Sequence, residues 1–397
     1  MRSRKLRGTR RRATVITAAA VSVVAGAAML PVWSAGASTT TEPEVDARTK
    51  ATFQRLADAV FTDRTDALVD RPGKRKQISN GFSGRVALSS GTARDEDKAL
   101  DRLTTRRERL ARHGEKYSDA RTTVTLDRTR VDGRKAVVMV TETTTLTYDR
   151  VRGDEPRTTG FQARHRLTFR ADQRGNWRLT DIRESDDDQL AVNQPVTPMV
   201  ASSPSPTPSA AAAANTTPSA PRAAITRPAP SAPKTLTGGA YDYKAMAAYA
   251  EKYWRDYNPD YPSFDGQGAG GDCTNFVSQS LKAGGWKHVP GYVYDYTRWF
   301  GNAEIQSHSF VGVNEWSWFA QNSQRVTSLA NVYQMDVGDV LQVDFDGDGS
   351  KDHTMVVTYR SAQGVPYLTY HSTNTLRRSV SSIIASYPNA AYYAYRT

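Results

Sequence analysis

The sequence predicts an α+β protein in two folded parts joined by a linker, with helices packed on antiparallel strands. Three observations lead there. Residues 38–191 carry two helical patterns followed by a run of strand patterns. Residues 192–238 are rich in Pro, Ala, Ser and Thr, with ten prolines between Pro195 and Pro233. Residues 239–397 hold 17 of the 19 tyrosines, five of the seven tryptophans and the one cysteine, Cys273.

In the first part, Phe53, Leu56, Ala57 and Val60 recur at helical spacing. A charge-rich helix covers Asp95 to His113. Val124 and Leu126 then alternate with polar residues, Asp132-Gly133 signals a hairpin, and Ala136 to Tyr148 is a long Val- and Thr-rich strand. Phe161–Ala171 and Trp177–Ile182 form a second hairpin around Arg174-Gly175-Asn176. Two helices followed by a four-stranded meander resemble the nuclear-transport-factor-like cone. This part has His113 and His165 but no cysteine, and His165 reads as a solvated or half-buried strand residue. A binding or spacing role is expected here.

The linker cannot bury enough apolar area to fold. Its 39 residues from Pro195 to Pro233 would reach roughly 120 Å if extended. It should uncouple the two parts.

The formal charge is +12, which raises the question of nucleic acid. Seven of those charges lie in Arg2, Arg4, Lys5, Arg7, Arg10, Arg11 and Arg12, with no acid before residue 38. From Gly239 onward there are 12 basic and 15 acidic residues. That part lacks the clustered cations a phosphate backbone requires, so no nucleic-acid partner is expected. Residues 1–37 read instead as a signal peptide. A basic stretch precedes an apolar run, Ala13 to Leu30, and Ala35-Gly36-Ala37 is a small-residue cleavage site. An uncleaved anchor is the alternative, and both the twin-arginine and general export routes stay open. The expectation is a secreted, extracellular, monomeric protein, with cell-wall association left open and no membrane contact after cleavage. A single cysteine excludes an intramolecular disulfide. A lone thiol outside the cell is open to oxidation, so it needs a reason to be there.

Tyr241 to Tyr257 reads as a helix stopped by Asn258-Pro259. A glycine-rich approach, Gly266 to Gly271, leads into Asp272-Cys273-Thr274-Asn275-Phe276. Phe276, Val277, Ser280, Leu281 and Ala283 form a helical stripe, and Gly284-Gly285 closes it. Cys273 thus falls at a helix start, where free N–H groups and the dipole favour a thiolate and can receive an oxyanion. A nucleophilic cysteine needs a base, usually a histidine held by a third polar group. After Gly338-Asp339 and the strand Val340–Val343, His353 opens the strand Thr354–Tyr359. The strand Pro366–Tyr370 ends in His371-Ser372-Thr373-Asn374. Asn275, Gln279, Asn258 and Tyr261 are candidates for supporting the oxyanion. His288 and His308 read as loop residues.

These motifs closely resemble the putative amidase domain family: Asp-Cys-Thr-Asn-Phe-Val-Ser-Gln at 272–279 with Ala283-Gly284-Gly285, Gly338-Asp339-Val340, Asp352-His353-Thr354 and Tyr370-His371-Ser372. That family is similar in turn to papain-like cell-wall peptidases and CHAP amidases. The resemblance implies a papain-like fold, with Cys273 as nucleophile, His353 as base and His371 as the orienting residue. Asn374 is the alternative third residue.

Asp344-Phe345-Asp346-Gly347-Asp348-Gly349 resembles the first half of a calcium loop, but Met355 stands where the closing glutamate would be. A tight acidic turn is the plainer reading, so Asp344, Asp346 and Asp348 are only a weak calcium site. No cofactor is required. The expected activity is thiol-dependent hydrolysis of amide bonds, with peptidoglycan peptides or the sugar–peptide amide as substrates suited to the compartment. A cell-wall-binding module on the same fold, or a transacylase using the same residues, are the competing readings.

Overall fold

The structure is a computed structural model and describes residues 45–70, 86–185, 191–195, 220–265 and 271–397. The expected leader, the centre of the linker and Gly266–Gly270 lie outside the described residues. Among the described residues, no helix is long and apolar enough to cross a membrane.

The N-terminal region follows the expected order. Helix α1 spans Ala47–Asp66 and buries Phe53, Leu56, Ala57, Val60 and Phe61 along one stripe. Its N-cap is Asp46, whose carboxylate accepts from the Thr49 amide. A short strand β1, Val86–Leu88, precedes helix α2, Ser90–Arg112. A meander follows: β2 (Tyr117–Asp132), β3 (Lys135–Tyr148), β4 (Thr158–Ala171) and β5 (Trp177–Glu184). The β2–β3 turn is at Asp132-Gly133, where Gly133 has φ 53°.

The C-terminal region adds helices α3 (Tyr243–Tyr253), α4 (Cys273–Ala283), α5 (His308–Val311) and α6 (Val313–Asn322). Then come β6 (Thr327–Leu329), a 3-10 turn, β7 (Val340–Asp344), β8 (His353–Arg360), β9 (Pro366–Tyr370), β10 (Thr375–Ser379), helix α7 (Val380–Ser386) and β11 (Ala391–Arg396). The strands β7 to β9 and β11 are buried on both faces. Val340, Val356, Tyr393 and Tyr395 pack with Phe276, Val277 and Leu281 of α4. Leu341, Val343, Met355, Val357 and Tyr392 pack on the other side with Ile383 and Ile384 of α7.

The two regions are not built as separate folds. Strand β4 pairs with β3 along one edge; its other edge holds β5 at His165–Ala171 and β10 at Gly160 and Phe161. One sheet therefore runs β1-β5-β4-β10-β9-β8-β7-β11-β6, with β3 and β2 beyond β4. The apolar core is shared as well, since Leu103, Leu110, Tyr148 and Phe161 cluster with Tyr367, Tyr370 and Ile383. Arg109 of α2 donates to the Ala385 carbonyl at 2.9 Å. The linker is not free at its described ends. Ala191–Gln194 are buried against α1 and α2, with Arg106 donating to the Val192 and Gln194 carbonyls. Further on, Ala223 donates to Tyr392, and Lys234 binds Asp339 at 2.6 Å.

His165 corrects its sequence reading. It is fully buried, 2.9 Å from Glu142 and 3.0 Å from Glu184, and stacks on Phe61. Burial works against its charge, but the two carboxylates override that and hold its pKa up to about 9. Alternation along a strand shows which residues share a face, not which face is covered.

Candidate functional site

The Cys273 helix forms as its apolar spacing requires. Phe276, Val277 and Leu281 are fully buried, and the helix ends at Gly284, where any side chain would collide: a Cβ there would lie 2.2 Å from Met246. Gly285 follows with φ 104°. Cys273 is the first residue of α4 and is 1% exposed.

Asp272 stands at the N-cap position, yet its carboxylate caps no helix amide. It is spent elsewhere. Oδ1 accepts from the Phe264 amide at 3.0 Å and from Asn275 Nδ2 at 2.8 Å, and Oδ2 takes His371 Nδ1 at 2.6 Å. Among the described residues, no side chain caps the first turn of α4 beside the thiol.

His371 donates through Nε2 to the Tyr253 carbonyl at 2.8 Å and lies between the rings of Phe276 at 3.9 Å and Tyr257 at 4.0 Å. With both ring nitrogens engaged, neither is free to bond His353. Its side chain fixes the residue before the nucleophile. The turn after it is strained: Ser372 and Thr373 have φ 59° and 61°, unusual for residues with a Cβ. Ser372 Oγ accepts from the Asp272 amide at 3.3 Å, which ties this turn to the helix start. Asn374 accepts from Tyr257 OH at 2.9 Å and so supports the ring that covers His371.

His353 is the first residue of β8 and is 1% exposed. Its ring meets Tyr370 edge-on at 5.2 Å, on the face of Met355 and Val357. Thr354 points to the opposite face and bonds Thr274 Oγ1 at 2.9 Å. The backbone of Thr354 also hydrogen-bonds the Cys273 thiol. The β8–β9 ladder begins only at Val356. Among the described residues, His353 Nε2 has no hydrogen-bond partner.

The electrostatics differ from the sequence expectation. Burial pushes the Cys273 thiol up to about 11, outweighing the hydrogen bonds from Thr354 and Thr274. Burial, then nearby Arg378, pushes His353 down to about 3. Thiol and imidazole are both neutral near pH 7 in this state. A helix start lowers a thiol pKa only while the thiolate keeps some solvation.

The other candidates serve the scaffold. Asn275 Nδ2 donates to the Pro262 carbonyl at 2.9 Å as well as to Asp272. Tyr249 OH donates to Gln279 at 2.7 Å and accepts from Asn258 at 2.8 Å. Tyr261 stacks near Phe310. His288 is exposed and His308 half-buried against Tyr294. Asp344, Asp346 and Asp348 bring carboxylate oxygens within 4.8 Å of one another. Both Asp344 oxygens already accept from the Gly347 and Gly349 amides, so the turn holds its shape by its own hydrogen bonds. Asp272 was quoted in the motif without a role. A carboxylate at a helix start directly before the candidate nucleophile was the available signal.

Residues 240–395 match a family model described as Putative amidase domain. Two Bacillus subtilis proteins are similar to the same region. The uncharacterized protein YhbB is 32% identical over 134 residues, 32% of this chain and 41% of its own length. The uncharacterized protein YjcM is 31% identical over 142 residues, 36% of this chain and 33% of its own. The chain therefore spans less than half the length of these relatives. The intermembrane-space region of the chloroplast protein ARC6 aligns over 36% of this chain and 98% of its own, at a TM-score of 0.23 and 18% identity.

Proposed function

We propose, with residues 240–395 a putative amidase domain as the premise, that this chain is a secreted thiol amidase or peptidase on a papain-like arrangement of helix and sheet. Cys273 is the nucleophile. The observation that carries this reading is the start of α4: a lone cysteine as first helical residue, uncapped amides around it, and the preceding Asp272 locked by His371. Exported cell-wall peptides are the substrate class, in keeping with the N-terminal leader pattern.

In the reaction, the His353 ring, whose Nε2 bonds no described group here, turns to the thiol and accepts its proton as the sulfur attacks the amide carbon. A thiol and an imidazole that are both neutral suit a transfer that occurs with attack rather than before it. The uncapped amides of α4 receive the oxyanion. The C–N bond breaks, the amine leaves with the proton from His353, and a thioester remains. Water, deprotonated by the same imidazole, releases the acid and restores the thiol. His371 is assigned to positioning through Asp272 and not to orienting the base. The test is incubation with purified cell walls and mass spectrometry of the soluble fragments. Paired new amino and carboxyl ends that disappear with Cys273→Ser support the reading. Equal release by both proteins contradicts it.

A further inference from the structure

We propose that the N-terminal region completes the cysteine site, with Arg164 as a positioning residue that holds residues 262–265, which bond Asp272 and Asn275, from outside the amidase region. The inference rests on the Cys273 reading above and deepens it.

The chain before the nucleophile is fastened from two sides. From within, the Asp272 carboxylate accepts from the Phe264 amide, and Asn275 Nδ2 donates to the Pro262 carbonyl. From outside, Arg164 Nη1 on β4 reaches Asp265 Oδ2 at 2.6 Å. The Asp265 side chain is only 6% exposed, whereas that of Arg164 is 44% exposed. Asp265 Oδ1 is buried without a hydrogen-bond partner among the described residues. A carboxylate so enclosed depends on its cation, and without it the segment must move to let water in.

The same strand supports the other side of the site. The Gln162 amide donates to the Asn374 carbonyl at 2.8 Å. Thr159 Oγ1 donates to the Leu376 carbonyl at 2.9 Å, and Phe161 pairs with Thr375. Asn374 takes Tyr257 OH, Tyr257 covers His371, and His371 holds Asp272. One edge of β4 thus bears on both the segment before Cys273 and the turn after His371. None of these β4 residues lies within 240–395, so a chain carrying that region alone would need another source of this support.

The test uses the full chain and four variants: Arg164→Ala, Arg164→Asp, Asp265→Arg and the double exchange Arg164→Asp/Asp265→Arg. Iodoacetamide labelling of Cys273 at fixed pH reports how firmly the thiol is enclosed, independently of any substrate. Local opening of the segment relieves the unpaired Asp265, so melting temperatures of the Arg164 variants should fall by only a few degrees. Labelling should quicken about tenfold in each single variant, because local opening limits access to a buried thiol. Release from cell walls should fall about a hundredfold, as expected for a displaced reacting group. The double exchange should restore both. Labelling within twofold of wild type in all single variants overturns the proposal, as does a double exchange no better than either single change. Failure of the nucleophile reading shows separately, as cell-wall release unaffected by Cys273→Ser.

Discussion

His353 and Cys273 titrate far from the range in which a ready-made thiolate–imidazolium pair would operate. With burial holding the thiol up to about 11, its alkylation rate should climb roughly tenfold per pH unit from neutrality toward pH 11. A plateau below pH 8 would show a preformed thiolate and contradict this account. His353 also has a stability consequence. Its folded pKa, about 3, lies below the ordinary 6.5. Between these values the unfolded chain takes a proton that the folded chain refuses. The neutral ring is no burden above pH 6.5, and stability is lost as pH falls from there toward 3. His353→Gln should flatten that acid slope in thermal melts. The same slope in both proteins would place the sensitive group elsewhere. Asp272→Ala tests the anchor, for it leaves His371 Nδ1, Asn275 Nδ2 and the Phe264 amide without their acceptor. Breaking so buried a pair should cost about 3 kcal/mol in denaturant unfolding, and a cost near zero would show that Asp272 is not the hub of the site.

At the scale of elements, the sequence reading reached furthest where the signal is local. The Cys273 helix, its stop at Gly284-Gly285, the strand opened by His353 and the hairpin at Asp132-Gly133 all follow from apolar period and turn chemistry within a few residues. The pairing of β4 with β10 joins Phe161 to Thr375, and no short-range pattern encodes a contact across so long a stretch of chain. The burial of His165 was hidden for a related reason, because the lid formed by Val192, Asn193 and Gln194 comes from what reads as linker. Low hydrophobicity there describes the segment as a whole and misses three residues that are buried. The partner of His371 was hidden for a similar reason: adjacency to a strand end shows that a histidine is near the site but not which neighbour it binds, here Asp272. Gly284→Ala tests the local reading. The added methyl meets Met246 and the Asp242 carbonyl, 2.2 and 2.7 Å from the Cβ position. The change should cost about 1–3 kcal/mol, and a neutral effect would mean that α3 and α4 are not packed so closely.

At the scale of the whole molecule, a linker rich in proline suggested two independent folds, with thiol chemistry surviving removal of residues 38–238. The shared sheet and core argue the reverse. Cutting there would uncover Tyr367, Tyr370 and Ile383 where they meet Leu110, Tyr148 and Phe161, and would leave β10 with a bare edge prone to association. Residues 239–397 expressed alone should be poorly soluble or melt well below the full chain, as judged by light scattering and thermal melts. A soluble fragment with an unshifted melting temperature would restore the modular view. The central claim, that Cys273 forms a thioester with an amide substrate, is tested most directly by acid-quenched intact-protein mass spectrometry after brief mixing with solubilised cell-wall peptides. The account predicts a transient acyl adduct that maps to Cys273, grows under conditions that slow hydrolysis, and is absent in Cys273→Ser. Release of fragments with no adduct at any time, and undiminished in Cys273→Ser, would contradict it.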